Sequence, residues 1–196
     1  KPKAPEMKSE IYPGVGVVFR AHQGPDETSM YLRSGYNWSH WSDDQNNFIL
    51  MSRGAVLVPD QPFQYYSRDT GPNGQDLDAF NFYNAIRFGS AKNQYAFGWP
   101  DSNIIDHAFG DSVDYAWSST GYPDWYIQPG HTPGLGDPRQ LDTDVPQKQG
   151  PFDWNRQVMF MKGLTAQSPN SFVFRDTMRG AGQFANWFDL DLLGKS

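Results

Sequence analysis

The sequence predicts an all-β protein, an antiparallel two-sheet β-sandwich with long loops. Short apolar or alternating runs recur at close spacing, as at residues 14–20, 29–33, 48–51 and 55–58. Turn formers punctuate them, with 19 Gly and 15 Pro in 196 residues. Aromatic residues make up 16% of the chain, which suits pleated surfaces, and no stretch holds the apolar period of a long helix. A helical reading stays open for residues 78–86, where the aromatic spacing fits either period.

Taken in order, residues 1–10 are charged and Pro-containing and read as a lead-in or linker, with residues 11–196 as a single sandwich domain. Residues 14–20 form a strand, the turn Gln23-Gly24-Pro25-Asp26-Glu27 follows, and residues 29–33 alternate as its antiparallel partner. Residues 48–51 and 55–58 form the next hairpin across Ser52-Arg53-Gly54. Residues 68–76 are a polar loop. Extended segments resume at 80–88, 95–97, 104–109 and 113–117. Residues 118–153, rich in Gly, Pro and Asp, read as the longest irregular region. Residues 156–161 and 171–176 are strands around a turn at 162–170, and 184–188 is a last amphipathic stretch.

Composition excludes several classes of function. Sixteen Lys+Arg against 22 Asp+Glu give a net charge of −6, which lacks the basic face nucleic acid requires. The same sign disfavours long-range attraction of polyanions, although local Arg or Lys residues can still neutralise a bound carboxylate. Without cysteine there are no disulfides and no thiolate metal sites. No apolar run approaches the ~20 residues that span a bilayer, and the N-terminal residues do not form a signal peptide.

The candidate chemistry gathers in residues 33–63, where polar and aromatic residues precede the 48–51 strand. His40 stands beside Trp38 and Trp41 and near acidic neighbours able to set its tautomer, although a histidine bonded to loop backbone fits equally well. Asp43-Asp44-Gln45-Asn46-Asn47 supplies the hard oxygens calcium prefers but lacks the spacing of a calcium loop, and an Asx-rich turn is favoured. Trp38 and Trp41 offer flat faces on which sugars stack, as do Trp117, Tyr122, Trp125 and Tyr126, the latter group lying in or near the long loop region. Core packing is the competing account of these aromatics. His22, His107 and His131 show no metal-ligand spacing, and no zinc-peptidase, serine-hydrolase or phosphate-loop motif is present.

Several blocks together carry a family resemblance. Ser39-His40-Trp41-Ser42-Asp43-Asp44-Gln45-Asn46-Asn47-Phe48, followed by Gly54 and Asp60, resembles the β-sandwich portion of the heparinase II/III-like polysaccharide lyases. That family usually reads Ser-His-x-His-x-Asp-x-x-Ser-Phe, a strand, Gly, a second strand, Asp, and later His-Asn-Thr. The block Phe109-Gly110-Asp111-Ser112-Val113-Asp114-Tyr115-Ala116-Trp117 adds to the likeness, as do Arg156-Gln157-Val158-Met159-Phe160-Met161 and Phe172-Val173-Phe174-Arg175-Asp176.

The resemblance implies a secreted or periplasmic protein that contacts a polysaccharide, acidic ones included. It also implies β-elimination at a uronate, with a helical toroid supplying the catalytic tyrosine and His40 assisting the proton transfers in a complete enzyme. The departures imply something further. Ser42 and Tyr83 stand where the family has metal-binding histidines, so Asp60 alone is retained and no zinc is expected. This chain has no candidate toroid, so by itself it should be inactive or nearly so. The alternatives are a stand-alone carbohydrate-binding module and a structural or assembly sandwich.

Overall fold

The structure is a computed structural model and describes residues 6–35, 45–59, 84, 86–90, 93–94, 101–122, 125–126, 148–149, 152–180 and 186–188. Strands β1 (Glu10–Tyr12), β2 (Gly16–Ala21), β3 (Thr28–Arg33), β4 (Phe48–Ser52) and β5 (Ala55–Val58) form a five-stranded antiparallel meander. Strands β6 (Ile86–Ser90) and β7 (Asn93–Gln94) join β14 (Asn186–Phe188) in a small sheet of their own. A second large sheet has four strands, β8 (Asp101–Phe109), β9 (Val113–Tyr122), β12 (Phe152–Met161) and β13 (Ser171–Gly180), in the order β13-β12-β9-β8. Strands β10 (Trp125–Tyr126) and β11 (Lys148–Gln149) form a short pair. Among the described residues there is no α-helix.

The two large sheets close on one core, which makes the protein an all-β sandwich. Period-2 alternation sends Val17, Phe19 and Ala21 of β2 inward, and Met30 and Leu32 of β3 with them. Ala116, Val158 and Phe160 enter the same cluster from the four-stranded sheet. Phe160 stacks on Phe172 with ring centroids 4.2 Å apart and meets Phe19 edge-on at 6.3 Å. Each fully buried ring of this kind contributes roughly 1.5–3 kcal/mol by leaving water.

The predicted hairpins form as the turn chemistry requires. Between β4 and β5, Arg53 and Gly54 both take positive φ, 50° and 73°, the pattern of a tight turn whose twist matches its flanking strands. The β2–β3 connection uses a 3-10 turn at Gly24–Asp26, and Arg20 pairs with Glu27 across it. Ser9, in the lead-in, accepts the N–H of Arg20 and donates to the carboxylate of buried Asp114, which also pairs with Lys162.

The expected irregular region starts later than the sequence indicates. Residues 118–122 continue β9, and β12 begins at Phe152. Ser118, Ser119 and Thr120 fall at the start of that stretch, and hydroxyls of this kind can compete for backbone groups. Here the buried hydroxyls of Ser118 and Thr120 bond instead to those of Ser34 and Ser102. The segment expected at 80–88 is strand from Ile86 to Ser90, and the one at 184–188 is strand from Asn186 to Phe188. The segment at 95–97 lies outside the described residues.

Candidate functional site

The loop that carries His40 joins β3 to β4, and the structure describes its two stems. Arg33 and Asn47 close the ladder, with the Arg33 N–H donating to the Asn47 carbonyl at 2.9 Å. The Asn46 N–H returns the bond to the Arg33 carbonyl at 3.0 Å. Gly35 donates to Oε1 of Gln45 at 3.4 Å, one step nearer the loop. Asn46 holds φ at +58°, which asparagine tolerates better than most residues.

Buried amides then tie these stems to two other segments. Asn47 Oδ1 accepts from the N–H groups of Phe48 and Asn84, at 2.8 and 2.9 Å. Asn84 Nδ2 donates to the carbonyls of Phe48 and Pro59, at 3.1 and 2.9 Å. Asn84 and Pro59, next in sequence to Tyr83 and Asp60, therefore meet Asn47, seven residues past His40. Asn46 adds the facing sheet, because its Oδ1 accepts from the Ser118 hydroxyl and its Nδ2 donates to the Trp154 carbonyl. These bonds commit the side-chain oxygens of Asn46 and Asn47 to protein donors, two of them from distant segments.

At the centre lies Arg156, fully buried on the inward face of β12. Its Nε and Nη2 donate to Oδ1 and Oδ2 of Asp176, at 2.9 and 3.0 Å, from directly across the β12–β13 ladder. Its Nη1 donates to the carbonyls of Asn46 and Asn84, at 2.6 and 2.8 Å. Trp154 Nε1 also reaches Asp176 Oδ1, at 2.9 Å. The rings of Trp154, Phe48 and Phe174 surround the guanidinium, with centroids 4.9, 5.6 and 5.6 Å from it. A forked, permanently charged donor suits this task, since one residue neutralises a carboxylate and holds two backbone carbonyls in a dry interior.

Arg156 is thus a clamp, buried among saturated partners, rather than a group presented to substrate. Next to the candidate loop, Gln45 is fully buried and its Nε2 has no acceptor among the described residues. Sequence reasoning gave no role to the Arg156–Asp176 pair. The available signal was an arginine in the inward register of an otherwise apolar strand, with an acid at matching parity on the next strand.

The predicted site residues divide by position. His40, Trp38, Trp41, Ser42, Asp43, Asp44, Asp60 and Tyr83 lie outside the described residues. Trp117 is on the outward face of β9, half-buried, with its Nε1 donating to Asn155 Oδ1 at 3.0 Å. Tyr122 ends the same strand opposite Phe152, about 16 Å further along at the usual strand rise. Trp125 and Tyr126 form β10, opposite Gln149 and Lys148. The pairs Trp125–Gln149 and Tyr126–Lys148 keep the register of Tyr122–Phe152, so β10 and β11 continue the line of β9 and β12. Among the described residues, no three His, Cys, Asp or Glu side chains cluster. No helix among them is long and apolar enough to cross a membrane.

Two antiparallel sheets on a shared core, with a loop pinned at one end by a buried charge clamp, define an all-β sandwich with a candidate site at a hairpin mouth. Among solved structures, heparinase III has a similar fold, with a TM-score of 0.62 at 14% sequence identity. The match covers 98% of this chain and 25% of that one, so this chain spans about a quarter of the heparinase III length. No family model matches the sequence, and no curated protein does either.

Proposed function

We infer that this chain is the β-sandwich portion of a polysaccharide lyase of the heparinase II/III type. In a complete enzyme it would serve β-elimination on uronate-containing glycans and contribute polysaccharide contacts, and alone it would be inactive or nearly so. The observation that carries the reading is the convergence at Arg156. Its Nη1 bonds the carbonyls of Asn46 and Asn84, and Asn84 bonds Pro59, so the residues next to Tyr83 and Asp60 are tied to the stem of the loop that carries His40. These are the positions that the lyase resemblance singles out, and the likeness to heparinase III supports the same assignment.

In this reading the clamp is a positioning device. Elimination requires the uronate carboxylate to be neutralised so that the adjacent C–H bond becomes acidic, with a base and an acid at fixed distances. A loop carrying His40 must then return to one geometry, and a misplacement of about 1 Å can cost on the order of 100-fold in rate. Groups supplied by the rest of such an enzyme would carry most of the transition-state contacts, and their loss typically costs orders of magnitude. Zinc and calcium play no part in this proposal.

The test joins turnover to binding. The isolated chain is incubated with acidic glycans and the unsaturated uronate product followed by absorbance, while affinity electrophoresis compares wild type with His40→Ala and Trp125→Ala. The expected result is no appreciable turnover and weaker binding in His40→Ala. Turnover at ordinary enzyme rates would overturn the reading. Indifference to His40→Ala with loss in Trp125→Ala would favour a stand-alone carbohydrate-binding module.

A further inference from the structure

We propose that the outward face of the four-stranded sheet is a second, separate glycan-binding surface, taking an acidic polysaccharide across Tyr115 and Trp117. Strand alternation places it opposite the clamp. Along β12, Trp154, Arg156, Val158 and Phe160 turn inward, while Asn155, Gln157 and Met159 turn out. The ladder register aligns Arg175, Gln157, Trp117 and Asp106 in one row across the sheet. Neighbouring rows contain Val173, Met159 and Tyr115 on one side and Thr177, Asn155 and Ser119 on the other.

The polar atoms of this face hold one another in place. Gln157 Nε2 donates to the Tyr115 hydroxyl at 2.9 Å, and Trp117 Nε1 donates to Asn155 Oδ1 at 3.0 Å. Arg175 Nη1 reaches Gln157 Oε1 at 3.5 Å. Both aromatic residues are therefore fixed at their polar tips in the resting protein, so little side-chain freedom remains to be lost on binding. Both residues are half-buried, and the uncovered part of each ring suits the apolar C–H face of a pyranose. Amides of Asn155 and Gln157 line the rings, as hydroxyl recognition requires.

Charge decides which glycan fits. Arg175 is exposed on β13, the edge strand, and its row holds no acid nearer than Asp106, three strands away or about 14 Å at usual strand spacing. Its long contact to Gln157 leaves its other N–H groups for a bidentate bond to carboxylate or sulfate. A docked helix or strand would have to cover Arg175, Gln157, Asn155 and Asp106 together, which imposes desolvation without evident return. A ring with one apolar face and one anionic substituent meets both halves of the platform.

This inference concerns binding alone and does not depend on elimination chemistry. The experiment is isothermal calorimetry of the full chain with heparan sulfate, hyaluronan, alginate and polygalacturonate, with fully methyl-esterified polygalacturonate as the uncharged control. Trp117→Ala and Arg175→Ala are compared with His40→Ala, and circular dichroism verifies that each variant folds. Trp117→Ala is expected to weaken binding at least tenfold, and Arg175→Ala to abolish the preference for polygalacturonate over its ester. His40→Ala should leave this contribution intact.

If binding falls with His40→Ala but not with Trp117→Ala or Arg175→Ala, the platform is overturned while the lyase reading stands. The converse pattern supports the platform and counts against that reading. No binding to any of these glycans overturns the platform as well.

Discussion

Replacing Asp176 by Asn keeps the shape of the clamp and removes its negative charge. Arg156 would then remain charged and fully buried, with its Nε and Nη2 facing a neutral amide in place of the two carboxylate oxygens now at 2.9 and 3.0 Å. Breaking one side of a buried pair costs about 3–5 kcal/mol. Two features pull the figure to the lower end. The Asp176 side chain is 17% exposed, so water reaches the deficit. The rings of Trp154, Phe48 and Phe174 also keep their attraction for the guanidinium. A loss of about 3 kcal/mol follows. With a urea slope of about 2.5 kcal/mol/M, plausible for a chain of this size, the midpoint should fall by about 1.2 M. Urea unfolding monitored by tryptophan fluorescence reads this directly. A shift under about 0.3 M at unchanged slope would refute the view that the buried charge depends on Asp176.

Other substitutions probe separate parts of the argument. Gly35→Ala would drive a Cβ into the Gly14 carbonyl at the stem of the candidate loop, and a thermal midpoint lowered by several degrees is expected; an unchanged midpoint would deny the close approach. Phe160→Ala should cost about 3–5 kcal/mol, because its ring is fully buried between Phe19 and Phe172, whereas Met159→Ala, 43% exposed one residue away, should cost under about 0.5. Comparable losses at the two positions would invert the assigned faces of β12. Gln45→Met removes a buried Nε2 donor that has no acceptor among the described residues, together with the Oε1 that accepts from the Gly35 N–H at 3.4 Å, so the two effects offset and a change within about 1 kcal/mol is expected in chemical denaturation. A loss above about 2 would mean that the long Gly35 bond contributes more than an ordinary hydrogen bond.

How much was legible in the sequence follows from which signals are local. Strands β2, β3, β4 and β5 could be read because their alternation and turn residues agree, down to Gly54 at the tight turn. The length of β9 could not, since Ser118 and Thr120 become strand residues only when Ser34 and Ser102 supply their hydroxyl partners from elsewhere in the chain. The candidate site divides in the same way. Its loop announced itself through Asn46, Asn47 and their neighbours, but the clamp depends on Arg156 meeting Asp176 across a ladder and on Asn84 arriving from a separate segment. Neither meeting has a local sequence signature. The outward position of Trp117 follows from parity once β9 is placed, and its link to Asn155 does not.

The clamp also bears on how the glycan platform is specified. Because side chains alternate strictly, a slip of one residue between β12 and β13 would carry Arg156 outward and draw Gln157 toward the core. Several apolar side chains on these strands would tolerate either pairing, whereas the Arg156–Asp176 pair satisfies its charges and the Asn46 and Asn84 carbonyls in one register only. Buried polar groups of this kind can trade stability for uniqueness. The double variant Arg156→Met with Asp176→Leu separates the two effects. It has no buried charge to leave unpaired, but it strips the partners of the Asn46 and Asn84 carbonyls and of Trp154 Nε1, so it should stay folded with a stability loss at least as large as that of Asp176→Asn. Its amide NMR spectrum should nevertheless show more than one set of signals for Gln157 and Trp117. A single, wild-type-like set would refute the idea that the ion pair, rather than the apolar packing around it, selects the register.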